Sequence, residues 1–158
     1  MNASLAPPTR SPSRSRYRLR GFTLIESIVA VGIAAVLSSI AYPSLEGHVL
    51  RARRTDALVA LMNAQLAQER YRSNNNSYGT LAETGLRATS ASGYYAVQVT
   101  SNGTDGFEVL ASATARQARD THCRHLRLVS VGTAVTYASG PDAATSNPAE
   151  VNRRCWNQ

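Results

Sequence analysis

Phe22–Tyr42 is a run of 21 residues in which Glu26 is the only charge. As a helix rising about 1.5 Å per residue it would measure about 31 Å, against a bilayer hydrocarbon core of about 30 Å. Few folds can absorb such a segment. It must cross a membrane or pack among other apolar helices. A carboxylate inside it costs about 3 kcal/mol on insertion scales, so Glu26 calls for a task and a partner. A basic arm precedes the run and a polar segment follows it.

The junction reads Gly21-Phe22-Thr23-Leu24-Ile25-Glu26, after a leader carrying Arg10, Arg14, Arg16, Arg18 and Arg20. A basic leader, a glycine, this hexapeptide and an apolar helix together resemble the class III signal of type IV prepilins and pseudopilins. The resemblance implies cleavage between Gly21 and Phe22 by a prepilin peptidase and N-methylation of the new Phe22 amine. It also implies that Glu26 pairs with the N-terminal amine of a neighbouring subunit in a filament. The physics is compatible with that role, because an α-amine with a pKa near 8 is cationic at neutral pH and offsets a carboxylate in apolar surroundings. The partners implied are other pilin subunits, the peptidase and the inner-membrane assembly machinery. The implied location is a single-pass inner-membrane precursor with a cytoplasmic N-terminus, then an extracellular pilus. No cofactor is implied.

Two plainer readings compete. An ordinary signal peptide also has a basic and an apolar region, and Ser39-Ile40-Ala41 is a passable cleavage site. The apolar run is long for that purpose and has Glu26 within it. A plain anchor accounts for the length and leaves Glu26 unexplained.

The net charge of +7 divides unevenly. Residues 1–21 hold five arginines and no acid, and the remainder holds 12 arginines against 10 acids. Most of the basicity therefore belongs to the leader, where it reads as a topology signal with a cytoplasmic N-terminus. Two cysteines in the C-terminal third suit an oxidising compartment.

The expected organisation is a cleaved leader at 1–21, the membrane or filament-core half of a long helix at 22–52, and a periplasmic head at 53–158. The leader, with Pro7, Pro8 and Pro12, has no apolar period and is expected to be disordered. Pro43 is expected to kink the helix by removing one backbone hydrogen bond. Beyond it the helix should run to about Ser73, with Leu58, Leu61, Met62 and Leu66 as a core-facing stripe. Asn74-Asn75-Asn76-Ser77 should stop it. The stretch from Arg53 to Tyr78 resembles type IVa pilins, nearest to minor pilins of the PilE type. Tyr78–Ser92 reads as a connection, and its Asn75-Asn76-Ser77 flank and Asn102-Gly103-Thr104 read as turns rather than glycosylation sites. Alternation at Tyr95, Val97 and Val99, then at Phe107, Val109 and Ala111, predicts a hairpin. Cys123–Val131 and a short Val135–Tyr137 strand follow, and Ser139–Arg154 reads as loop. The fold class is α+β, an antiparallel sheet on the helix's apolar stripe. The resemblance to type IVa pilins implies a Cys123–Cys155 disulfide bounding the C-terminal loop. With about 33 residues enclosed, such a bridge contributes about 3.5–4 kcal/mol in the chain-entropy account.

His122-Cys123-x-His125 could be read as a metal site, but neighbouring strand residues face opposite ways and a structural zinc needs a fourth ligand. No phosphate loop, nucleophile–base arrangement or catalytic carboxylate pair stands out, so an enzyme is not expected. Arg116, Arg119, Arg124, Arg127, Arg153 and Arg154, with His122 and His125, make nucleic-acid binding a second function class. Sparse aromatics and the acids Asp120 and Glu150 favour a solvated basic face instead. A type II secretion pseudopilin is a third reading. The cysteine pair, and the absence of a run of loop acids suited to calcium, favour a minor pilin of a type IV pilus.

Overall fold

A computed structural model describes the backbone of residues 21–145 and 149–156, and the side chains of these except 41–44 and 149. The leader at 1–20 and the side chain of Pro43 lie outside the described residues. The chain divides into two compact units between Ser39 and Ile40.

In the first unit, helix α1 (Leu24–Asn75, 52 residues) begins two residues after Phe22. The Thr23 hydroxyl accepts the Glu26 N–H at 3.3 Å, and Glu26 Oε2 accepts the Thr23 N–H at 3.5 Å. This is a long capping box, in which two orphan helix-terminal donors are satisfied reciprocally. Past the cap the helix is apolar on every side, with Ile25, Ile28, Val29, Val31, Ile33, Val36 and Leu37 all exposed.

The second unit holds the rest of α1 and a four-stranded antiparallel sheet in sequence order. Its strands are β1 (Tyr95–Ser101), β2 (Gly106–Ala113), β3 (His125–Val131) and β4 (Ala134–Gly140). A short 3-10 turn (Ala115–Arg119) joins β2 to β3. Asn76, at φ 54°, ends α1 as the left-handed residue beyond the last turn, its N–H returning to Arg72 O at 2.9 Å. Asparagine tolerates that conformation.

The inner face of the sheet carries the alternation read from the sequence: Tyr95 and Val97, then Phe107, Val109 and Ala111, then Leu126, Leu128 and Ser130 are buried. Gly106 is required where β2 meets β3, because a Cβ there would collide with the Ser130 carbonyl. Gly132, at φ 58°, closes the two-residue turn between Val131 and Ala134.

The stripe of α1 that meets the sheet differs from the expected one. Leu61 is buried and Leu58 half-buried, but Met62 and Leu66 are 56% and 65% exposed. The buried face is Arg54, Ala57, Leu61, Ala64 and Gln68, spaced 3, 4, 3 and 4 residues apart. Two alanines and one leucine make up the apolar part of this face, and the two polar residues are admitted because each finds partners. Gln68 donates to Gly79 O at 2.6 Å and accepts the Gly79 N–H at 3.0 Å, pinning the chain that leaves the helix.

Ser139–Arg154 is not all loop. β4 extends to Gly140, and a second helix, α2 (Ala149–Trp156), follows. Gly140-Pro141 and Asn147-Pro148 hid a two-turn helix that is held by tertiary contacts. Cys123 and Cys155 are joined, with Cα atoms 5.5 Å apart. Trp156 stacks obliquely on Tyr137 at 4.8 Å and donates to Ala138 O at 3.3 Å.

Arg54 ties these parts together. Its Nε and Nη2 meet the two oxygens of Asp120 at 2.6 and 2.9 Å, and its Nη1 donates to Arg154 O at 3.0 Å. Both side chains are about 6% exposed. Removing one member of a buried pair strands the other charge, at a cost of about 3–5 kcal/mol. Asp120→Ala is therefore expected to lower the melting temperature of the full chain in detergent by about 10 °C or more. The double change Arg54→Met with Asp120→Leu should recover part of that loss. Circular dichroism melts check both, and an Asp120→Ala protein that melts with the native one would show that the pair holds nothing.

Candidate functional site

Gly21 and Phe22 lie exposed ahead of α1, and Glu26 sits exposed in its first turn. A Cβ at Gly21 would meet no atom within 4 Å, so the chain's own packing does not require glycine there. Glu26 at a helix N-terminus is favoured by the helix dipole. By length and hydropathy, no single helical segment among the described residues is long and apolar enough to cross a membrane; Leu24–Ile40 and Leu45–Asn75 taken together pass that test.

In the head, the structure separates the expected basic residues into tied and free ones. Arg124 donates to Ala118 O at 3.1 Å. Arg127 reaches Glu108 at 3.4 Å and Ala144 O at 2.9 Å. His125 shares a hydrogen bond with the Ser112 hydroxyl at 2.9 Å. Burial, reinforced by the Arg124 charge, lowers its pKa below the ordinary histidine value, so it is neutral at pH 7. Arg119 pairs with Glu46 at 2.7 Å. Arg116, Arg153, Arg154 and His122 remain exposed.

Arg119, His122 and Arg154 come together around a cavity of about 400 Å³ with two residues absent from that basic group, Arg51 and Arg54. Arg51 and Arg154 are about a hundred positions apart, so no local pattern could pair them. Cys123 does not serve a metal, since its sulfur is spent on Cys155. Among the described residues no cluster of three histidine, cysteine or acidic side chains could hold an ion.

The loop before β1 is fastened to α1 by Asp56, which accepts from the Ser90 hydroxyl at 2.6 Å and the Ser92 N–H at 3.1 Å. Arg53 stacks over Tyr94 nearby, 4.5 Å from the ring centre. In the core below, Gln117 Nε2 donates to Tyr95 Oη at 2.9 Å and to Leu50 O at 3.0 Å. Burial pushes the Tyr95 phenol up to about 12, so it stays neutral.

Two family models divide most of the chain between them. Residues 16–42 match the prokaryotic N-terminal methylation motif. Residues 43–127, more than half of the chain, match the family described as type IV minor pilin ComP, DNA uptake sequence receptor. The chain belongs to this family. Cys155, Arg153 and Arg154 lie beyond the matched part. The pilin is 38% identical over 78 residues to the type II secretion system core protein G of Pectobacterium carotovorum, covering 49% of each chain. It is 37% identical over 76 residues to the type IV wide pilus major component PilA4 of Thermus thermophilus, covering 46% of this chain and 58% of that one. It is also 42% identical over 50 residues to the prepilin peptidase-dependent protein D of Escherichia coli, covering 32% and 34%. The pilin thus spans about half the length of the curated relatives it matches. Pilins and pseudopilins are structural subunits.

Asp56 gives the head a measurable pH dependence. Burial raises its pKa, but the hydrogen bonds from Ser90 and Ser92 outweigh that, and the net shift is downward. A folded pKa below the unfolded one means that the ionised carboxylate stabilises fully above the ordinary aspartate range of about 4. That contribution is lost as pH falls through the lowered folded value. Asp56→Asn should therefore be less stable than the native chain at pH 7, by about 1 kcal/mol. The gap should narrow as pH falls below about 4. Urea melts at pH 7 and pH 3 measure it, and a gap that widens in acid would refute the assignment.

Proposed function

We propose that this pilin is a minor subunit, or assembly initiator, of a type IV pilus. In this reading the precursor sits in the inner membrane with its leader in the cytoplasm and its head in the periplasm. A prepilin peptidase cuts between Gly21 and Phe22, and the Phe22 amine is methylated. The observation that carries the reading is a helix apolar on all sides with one acid in its first turn, within the matched methylation motif. A helix exposing such a surface needs lipid or other apolar helices around it. Both environments are supplied in turn, first by the bilayer and then by a filament core.

Glu26 then pairs with the amine of the adjacent subunit. Its cap with Thr23 satisfies one helix donor but supplies no opposite charge. Gly21, unconstrained by the chain's own packing, answers to the narrow site of the peptidase.

The family description favours a second, compatible reading in which the head binds DNA. The exposed Arg116 and Arg153 offer phosphate contacts. The full chain in detergent would then bind duplex DNA with an affinity that falls about tenfold or more between 50 and 200 mM salt. Arg116→Gln with Arg153→Gln would weaken that binding; salt-independent binding, or none, would remove the second reading and leave the first.

Expression of Glu26→Val beside the remaining pilus components tests the first reading. The variant should insert, be cleaved at Gly21-Phe22 and stay in the membrane fraction, absent from sheared filaments on immunoblots. Incorporation at the native level would overturn the role of Glu26. Gly21→Arg should keep the leader attached, as read by mass spectrometry, whereas a mature chain beginning at Tyr42 would establish an ordinary signal peptide.

A further inference from the structure

Beside the Arg54–Asp120 pair, the cavity of about 400 Å³ collects Arg51, Arg119, Arg154 and His122. Asp120 is the one acid lining it, and both of its oxygens are held by Arg54. Arg119 is paired with Glu46 at 2.7 Å, so the excess positive charge of the cavity rests on Arg51 and Arg154, and its volume lies in the range of small-molecule sites. Arg51 donates through Nε to Gly47 O at 3.4 Å. Among the described residues, the outer guanidinium nitrogens of Arg51 and the side chain of Arg154 have no protein acceptor. Planar guanidinium groups left open in this way suit the oxygens of a phosphate.

The neighbouring surface sets aliphatic side chains among charged ones. A second cavity, of about 170 Å³, is lined by Leu45, Val49 and Leu50 together with Glu46, Arg53 and Arg116, and Leu50 also lines the cationic one. Leu45 and Val49 are 63% and 39% exposed. Gly47, at the edge of the cationic cavity, is five residues beyond Tyr42. Chain length alone keeps it within about 18 Å of the end of the apolar run.

We propose that these adjoining cavities bind an anionic phospholipid of the outer leaflet, with its phosphate between Arg51 and Arg154 and its glycerol and upper acyl carbons against Leu45 and Val49. The proposal rests on the membrane-anchor reading of Phe22–Tyr42. The amphipathic pairing distinguishes a lipid from a nucleic-acid backbone, which offers phosphate but nothing to cover an aliphatic surface. The bound headgroup holds the base of the head to the membrane until the subunit is drawn into a filament.

The test uses the full chain in nanodiscs of equal phosphatidylglycerol and phosphatidylethanolamine, released for native mass spectrometry. The native chain should retain phosphatidylglycerol over phosphatidylethanolamine by about fivefold or more. Arg51→Gln with Arg154→Gln, both at exposed positions, should abolish the preference while melting as the native chain does. Arg153→Gln, outside the cavity, should keep it, as should addition of about 10 mM inorganic phosphate. Equal retention of both lipids, or an unchanged preference in the double variant, would overturn the proposal. So would a DNA duplex that binds the native chain, displaces the lipid and fails to bind the double variant, because the site would then be a nucleic-acid site. A chain that washes from the discs in alkali would instead sink the anchor reading beneath it.

Discussion

Arg54 directs its guanidinium at two segments far away in sequence, the Asp120 carboxylate and the Arg154 carbonyl. These belong to the turn between β2 and β3 and to α2. One side chain thereby fastens a helix to both ends of the loop system that the disulfide closes 32 positions apart. The apolar contacts of α1 with the sheet are narrow, resting on Ala57, Leu61 and Ala64. A small face of that kind fixes distance better than it fixes rotation or register. The ion pair, with Gln68 at Gly79 and Asp56 at Ser90, supplies the directional contacts. Such pairs are costly to desolvate, and their best-attested use is to specify one arrangement over its neighbours.

That geometry also settles which charges face outward. Asp120 is consumed by Arg54, so the arginines around it are not neutralised by it. Arg124, Arg127 and His125 are drawn into contacts within the head. The basic surface that the linear sequence spreads over the C-terminal third becomes a smaller group beside the middle of α1, joined by Arg51 from the helix. The proposed lipid site depends on this redistribution of charge, whereas the DNA reading rests on the exposed Arg116 and Arg153 outside it.

Much of the fold was legible because it rests on period and punctuation. The alternation at Tyr95–Val99 and Phe107–Ala111, the asparagines that stop α1 and the turn at Asn102-Gly103 all act locally. The inner stripe of α1 was misread because apolar size was taken as the mark of burial. Met62 and Leu66 are large and exposed, whereas Ala57, Arg54 and Gln68 are buried through partners 11 to 100 residues away. α2 escaped for a similar reason: eight residues following Pro141 and Pro148 carry little helical signal, and a disulfide and Trp156 hold it. Glu26 drew notice in the sequence because an acid within an apolar run is costly enough to stand out without any structure; the roles of Gly21, Phe22 and Glu26 remain part of the proposal. The cationic cavity was not legible, because no local pattern connects Arg51 to Arg154.

The central claim is that Glu26, capped only by its own Thr23 in the single chain, finds its charge partner in another subunit. A membrane-permeant carbodiimide joins a carboxylate to an amine with which it is in contact. Filaments assembled from an equal mixture of isotopically heavy and light subunits distinguish links within a chain from links between chains. The account predicts a peptide joining Glu26 of one subunit to the N-terminal methylated residue of another, with mixed heavy–light pairs present. Glu26 modified by the reagent but joined to no second chain would contradict it.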